Sequence, residues 1–142
     1  MRKPARSLPD TNILIRYLTR DDEPLYLRAK EFFDKVKEGS TRAVILESVI
    51  AECVYVLTKI YKVPRDKAAG SLIDILRYKG IANPDQRELI RALTLFYEWN
   101  IDIVDCILCV KASGPDTSLF SFDNELNKIS EDHIARGRRA NS

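Results

Sequence analysis

The chain repeatedly sets an acidic residue where a short extended segment gives way to an apolar helical repeat, and this recurrence constrains its fold more than any other feature. The first case is Ser7-Leu8-Pro9-Asp10-Thr11-Asn12-Ile13-Leu14-Ile15. In open α/β sheets the junction at the carboxyl end of a strand is where ligands and catalytic groups collect, so Asp10 is expected to point into a site. Asp, Asn and Thr also satisfy the free N–H groups of a helix start, so a cap is the competing account of the same residues. The weight then falls on how many other carboxylates occupy comparable positions.

Taken in order, Ile13, Leu14, Tyr17 and Leu18 recur at helical spacing until Arg20-Asp21-Asp22 ends the repeat. Pro24 suits the first turn of a second helix striped by Leu25, Ala29, Phe32, Phe33 and Val36 and closed by Gly39. Ala43-Val44-Ile45-Leu46 reads as a buried strand. The next helix, marked by Val49, Cys53, Val56 and Ile60, carries Glu52 at the margin of its apolar stripe. Glu52 is there either an exposed edge residue or, if the helix packs against the sheet, a carboxylate that needs a cation or a metal, because an unpaired buried charge is very costly. Helical blocks from Pro64 and from Asn83-Pro84-Asp85 follow, resembling an α-hairpin that serves packing or a partner. Asp102 and Asp105 then open the apolar run Ile101 to Val110, and one of them is explained by the helix dipole alone. Ser118 to Phe122 alternates like a strand, and Asp123 follows it as Asp10 follows the first segment.

Alternating strands and helices predict a three-layer α/β domain with a mainly parallel sheet. With 142 residues, 45% of them hydrophobic and 31% charged, the chain suits one soluble domain spanning 1–142, with a core over about 7–129 and flexible basic tails at 1–6 and 130–142. The tails hold Arg2, Lys3 and Arg6 at one end and Arg136, Arg138 and Arg139 at the other, and the net charge of only +2 makes any basic surface local. No apolar h-region follows Met1 to Arg6 and no apolar run spans a bilayer, so a cytoplasmic protein without a membrane segment is expected. An odd set of thiols, Cys53, Cys106 and Cys109, argues against a disulfide framework. Cys106 and Cys109 have C-x-x-C spacing, yet no second pair or nearby histidine accompanies them, which makes them small buried hydrophobes. His133 is assigned no role.

In a parallel sheet Asp10, Glu52, Asp105 and Asp123 would share one edge and converge. Clustered carboxylates repel one another, and a divalent cation removes that penalty. All-oxygen ligation selects Mg²⁺ or Mn²⁺, and such sites act on phosphates, which points to phosphodiester hydrolysis.

Asp10-Thr11-Asn12 with its apolar helix, Glu52-Cys53-Val54-Tyr55-Val56-Leu57, Asp102-Ile103-Val104-Asp105 and Ser121-Phe122-Asp123 resemble, in order and spacing, the motifs of PIN-domain ribonucleases, especially the VapC-type toxins of toxin–antitoxin pairs. The resemblance covers about Leu8 to Lys128, and its specificity lies in the ordered set of four motifs. It implies a three-layer α/β/α PIN-like domain with a central sheet of about four to five strands. It implies further that Asp10, Glu52, Asp105 and Asp123 are the metal-binding acids. Asp102 becomes an outer acid, and Thr11, Asn12 and Ser121 become supporting polar residues. An RNA substrate, Mg²⁺ or Mn²⁺, a homodimer and a small inhibitory antitoxin follow from the same resemblance.

The chain departs from that pattern at both ends. Arg6-Ser7-Leu8-Pro9 is polar and holds a proline that cannot donate to a ladder, so the first strand is expected to be short or irregular. Ile129 to Ser142 is polar and basic, so an apolar final strand is expected to be missing or disordered.

Two other functions compete. A non-catalytic PIN-like RNA-binding or regulatory domain would be marked by loss of one or more acids, and all four are present. A phospho-accepting receiver domain would want an acidic pair after its first strand, whereas Asp21-Asp22 follows a helix and no Asp directly follows Leu46.

Overall fold

Helix α1 (Thr11–Thr19) of the computed structural model, which describes residues 5–140, starts where Asp10 caps it. The Ile13 N–H donates to Asp10 Oδ1 at 3.0 Å, satisfying one of the backbone donors that a helix start leaves open. Helix α2 (Glu23–Glu38) repeats the device with Asp22, which accepts from the Leu25 N–H at 3.1 Å, and it ends at Gly39, whose left-handed φ of 90° favours glycine. Helix α3 (Glu47–Tyr55) runs into a π-helical turn, Val56–Ile60, and α4 (Arg65–Leu76) follows.

These elements belong to one compact unit, Met1–Gln86. Helix α1 packs on α2 and α3, burying Leu14 and Ile15 against a core that includes Phe33, Val36, Ile50 and Leu72. Tyr17 stacks on Phe33 with ring centroids 4.6 Å apart, and its hydroxyl shares a 2.8 Å hydrogen bond with that of Tyr78. Burial, then that bond, pushes the Tyr17 phenol well above its ordinary value.

The expected central sheet is absent: the described residues form no strand, only two isolated parallel bridges, Ser7 with Ala43 and Ala43 with Ile81. The α/β/α reading is therefore corrected to a helical fold, and the sequence supplies a local reason at each bridge. Beside Ser7 the pairing is correct for one residue: the Ser7 N–H donates to the Arg42 carbonyl at 2.9 Å, and the Val44 N–H donates to the Ser7 carbonyl at 3.0 Å. The next rung needs an N–H at position 9, where Pro9 has none. On the other side the Ala43 N–H reaches the Gly80 carbonyl at 2.9 Å, and the Ala82 N–H reaches the Ala43 carbonyl at 2.8 Å. The Asn83 side chain then takes over the ladder, accepting from the Ile45 N–H at 2.9 Å and donating to the Ile45 carbonyl at 2.7 Å. Gly80 permits the close approach, because a Cβ there would collide with the backbone carbonyls of Thr41 and Val36.

The second unit, Arg87–Ser142, holds α5 (Gln86–Glu98), α6 (Ile103–Ala112) and α7 (Asn124–Ala140). Helix α6 packs on α7, with Cys106 and Cys109 among its buried residues; all three cysteines of the chain are buried and none is in a disulfide. Ser118 to Phe122, read as a strand from its alternation, is irregular: Phe120 and Phe122 are 86% and 92% exposed, so no apolar face is buried to favour a strand there. Residues 129–140 continue α7, and Asn141 and Ser142 lie outside the described residues. Of the basic end residues, Arg2 and Lys3 lie outside the described residues, as do the side chains of Arg138 and Arg139. Among the described residues no helix is long and apolar enough to cross a membrane.

The Asn83 clamp is testable. Asn83→Ala leaves the buried Ile45 N–H and carbonyl without their partners, and urea unfolding is expected to show a loss of about 2–5 kcal/mol.

Candidate active site

In the first unit, Asp10 is exposed, and one carboxylate oxygen is committed to the cap of α1. A carboxylate has further lone pairs, so capping and ligand binding are compatible at this residue. Because α1 packs on α3, Thr11 and Asn12 face the same space as Glu52. Together with Ile15, Val56, Ile60 and Tyr61 they line a pocket of about 280 Å³. The fully buried Cys53 senses both acids: burial, followed by the charges of Glu52 and Asp10, pushes its thiol up to about 12. A thiol so placed stays protonated near neutrality and is no nucleophile.

Tyr61 is a lining residue that sequence reading missed. Its hydroxyl donates to Asp21 at 2.7 Å, and Asp21 also accepts from Arg16 Nη1 at 2.9 Å and Thr19 Oγ1 at 3.0 Å. The Tyr61 bond and then the Arg16 bond hold the Asp21 carboxyl down to about 2. Asp21 and Tyr61 lie 40 positions apart, and nothing in the local pattern of either announces the other.

In the second unit, Asp102 stands at the N-cap position of α6 in extended conformation, yet its side chain makes no capping bond. Asp105, one turn on and half-buried, has its carboxyl raised above the ordinary value by burial first, then by the charges of Asp102 and Asp123. Asp123 is oriented from both sides: its Oδ1 accepts from the Leu126 N–H at 3.1 Å, and its own N–H donates to Ser121 Oγ at 3.0 Å. The Ser121 carbonyl accepts from Asn127 Nδ2 at 3.0 Å, tying this turn to α7. Phe120 and Phe122 meet edge to face beside it, with centroids 5.6 Å apart. Their alternation suggested a strand and concealed them as a surface feature.

The donor chemistry of these residues suits a hard divalent cation: oxygen donors throughout, with Asp105 under like-charge pressure that a cation would relieve. Among the described residues, however, no group of three or more His, Cys, Asp or Glu side chains is arranged to hold a metal ion.

The PIN domain family model matches residues 7–132. No curated protein and no solved structure matches the chain. With most of its length covered, the chain belongs to the PIN domain family, whose members are generally nucleases that act on RNA and typically depend on divalent metal.

The repulsion at Asp105 carries a pH signature. A carboxyl raised in the folded state favours folding relative to the charged form at low pH, and that advantage is lost as pH rises through the folded value. In chelator, Asp105→Asn is therefore expected to melt above the unsubstituted protein at neutral pH, with the difference shrinking below the ordinary carboxylate range. Thermal melts across pH check this.

Proposed function

We propose that this PIN-domain chain is a Mg²⁺- or Mn²⁺-dependent endoribonuclease and the toxin of a toxin–antitoxin pair. Its metal-binding acids are Asp10, Glu52, Asp105 and Asp123. The observation that carries the reading is the half-buried carboxyl of Asp105, raised above its ordinary value by burial first and then by the charges of Asp102 and Asp123. Such strain is expected where charge is arranged for a ligand and not for stability. The ion would supply Lewis-acid stabilisation of the charge that develops at phosphorus.

The chain's own residues orient the acids. The cap bond fixes Asp10 at the start of α1, Ser121 fixes Asp123, and Thr11 and Asn12 supply polar groups to the pocket beside Glu52. Phe120 and Phe122 offer exposed aromatic faces on which unpaired bases can stack, a sequence-tolerant contact suited to single-stranded RNA. For the antitoxin, the supporting feature is an apolar pocket of about 270 Å³ that includes Leu8, Ile13, Leu25 and Phe32 and is flanked by Arg16 and Arg28. A homodimer completes the proposal, on the resemblance to VapC-type toxins alone.

One observation favours a second reading, a non-catalytic RNA-binding PIN domain: Asp10 and Asp123 each already have structural work as caps. The two readings separate on a single pair of substitutions. Asn caps a helix about as well as Asp, whereas Ala costs about 1 kcal/mol. Asp10→Asn is expected to keep full stability and lose metal-dependent cleavage of end-labelled RNA; Asp10→Ala loses both. Full cleavage by Asp10→Asn would overturn the nuclease assignment at this residue, and failure of the unsubstituted protein to bind Mn²⁺ in calorimetry would establish the non-catalytic reading.

A further inference from the structure

The second unit contains a cavity of about 520 Å³ that Asp102, Asp105 and Asp123 do not line, and basic side chains outnumber the one acid on its wall. Helix α5 contributes Arg91, Thr94 and Glu98; α7 contributes His133 and Arg136; Ser113 closes the end of α6. The two hydroxyls are engaged with backbone carbonyls, Thr94 Oγ1 with Ile90 at 2.9 Å and Ser113 Oγ with Val110 at 2.6 Å. The remaining side-chain N–H donors are the two guanidiniums and the imidazole. Arg136 is oriented by Glu98 at 3.8 Å and lies 5.5 Å from the centroid of the Trp99 ring, a geometry that leaves part of its donor fork to face elsewhere. Among the described residues no carboxylate lies within ion-pair distance of Arg91.

We propose that this cavity is a binding site for a phosphate group, held by Arg91, Arg136 and His133. Arg91 and Arg136 against Glu98 leave one net positive charge, and a protonated His133 makes two, which matches a dianionic phosphate better than a carboxylate. The wall is also built open. Gly137 lies within α7, where glycine costs helix stability, and a Cβ there would meet nothing within 4 Å, so packing does not require the missing side chain. His133 supplies a proton-linked contact. Burial, then Arg91 and Arg136, hold its proton affinity down, opposed by Glu98, and a bound anion reverses the balance.

The single histidine of the chain makes the site directly observable. Inorganic phosphate is titrated into the intact protein in chelator, where no cleavage occurs, while the His133 Cε1–H resonance is followed by NMR. A saturable shift and a raised His133 pKa in phosphate are expected. Arg91→Gln is expected to weaken binding about tenfold or more. Gly137→Leu, which fills the open wall and improves helix propensity, is expected to abolish binding without lowering the melting temperature. Absence of a saturable shift, or equal affinity in Arg91→Gln, overturns the proposal. Competition by a short RNA with a 5′-phosphate, stronger than by its 5′-hydroxyl twin, identifies an RNA end as the source of the phosphate; no advantage for the 5′-phosphate identifies the free ion. The result is independent of the nuclease reading, since neither metal nor cleavage enters it.

Discussion

Ala43 is hydrogen-bonded on both sides, to the segment at Ser7 and to the segment at Gly80–Ala82, and the first unit is arranged around that contact. Its consequences are positional. Three residues beyond Ser7 comes Asp10 and the start of α1; four residues beyond Ala43 comes α3, which carries Glu52. Both acids thus issue from segments that lie side by side and run parallel, so packing α1 on α3 sets Thr11 and Asn12 beside Glu52. Gly80 allows the backbone approach, and Asn83 stops the pairing from extending while keeping the buried Ile45 groups satisfied. A short seam completed by a side-chain amide replaces the ladder that a sheet would have supplied.

The acids of the candidate site carry two tasks with different chemical demands. Asp10 and Asp123 satisfy helix N–H groups, a neutral requirement that any good cap would meet. Asp105 meets no such need. It sits half-buried, and burial first, then the charges of Asp102 and Asp123, raise its carboxyl above the ordinary value. The contrast with Asp21 is instructive, because that carboxylate has a Tyr, an Arg and a Thr donating to it and its charge is comfortable in the folded protein. Burial and like charge at one acid, and three donors at another, move two carboxyls of the same chain in opposite directions.

The helices were legible because each rests on local rules. Apolar spacing, Pro24 at a start and Gly39 at an end act within one or two turns, and the chain obeys them. The strands were not legible, because a strand is defined by its partners. Ala43 to Leu46 has the composition of a buried strand and is buried at Ala43 and Ile45, but its hydrogen bonds go to one backbone rung on each side and then to a side chain. Ser118 to Phe122 has the right alternation and no neighbour that buries it. The same limit applies to the sites. Tyr61 and Asp21, and Arg91, His133 and Arg136, become sets only when separate helices meet.

What the sequence determined by itself is the family of the chain, through the order and spacing of its acids, together with the starts of most helices, though not the run of α7 to Ala140. Those properties depend on residue type and short-range spacing, which a sequence states outright. The tertiary structure alone decided that the extended segments pair for one residue instead of forming a sheet. It alone decided that Glu52 shares a pocket with Thr11 and Asn12, and that His133, unremarked in a polar stretch, faces two arginines across a cavity. Burial, charge coupling and hydrogen-bond completion are properties of groups brought together from distant positions, and they exist only once the chain has packed.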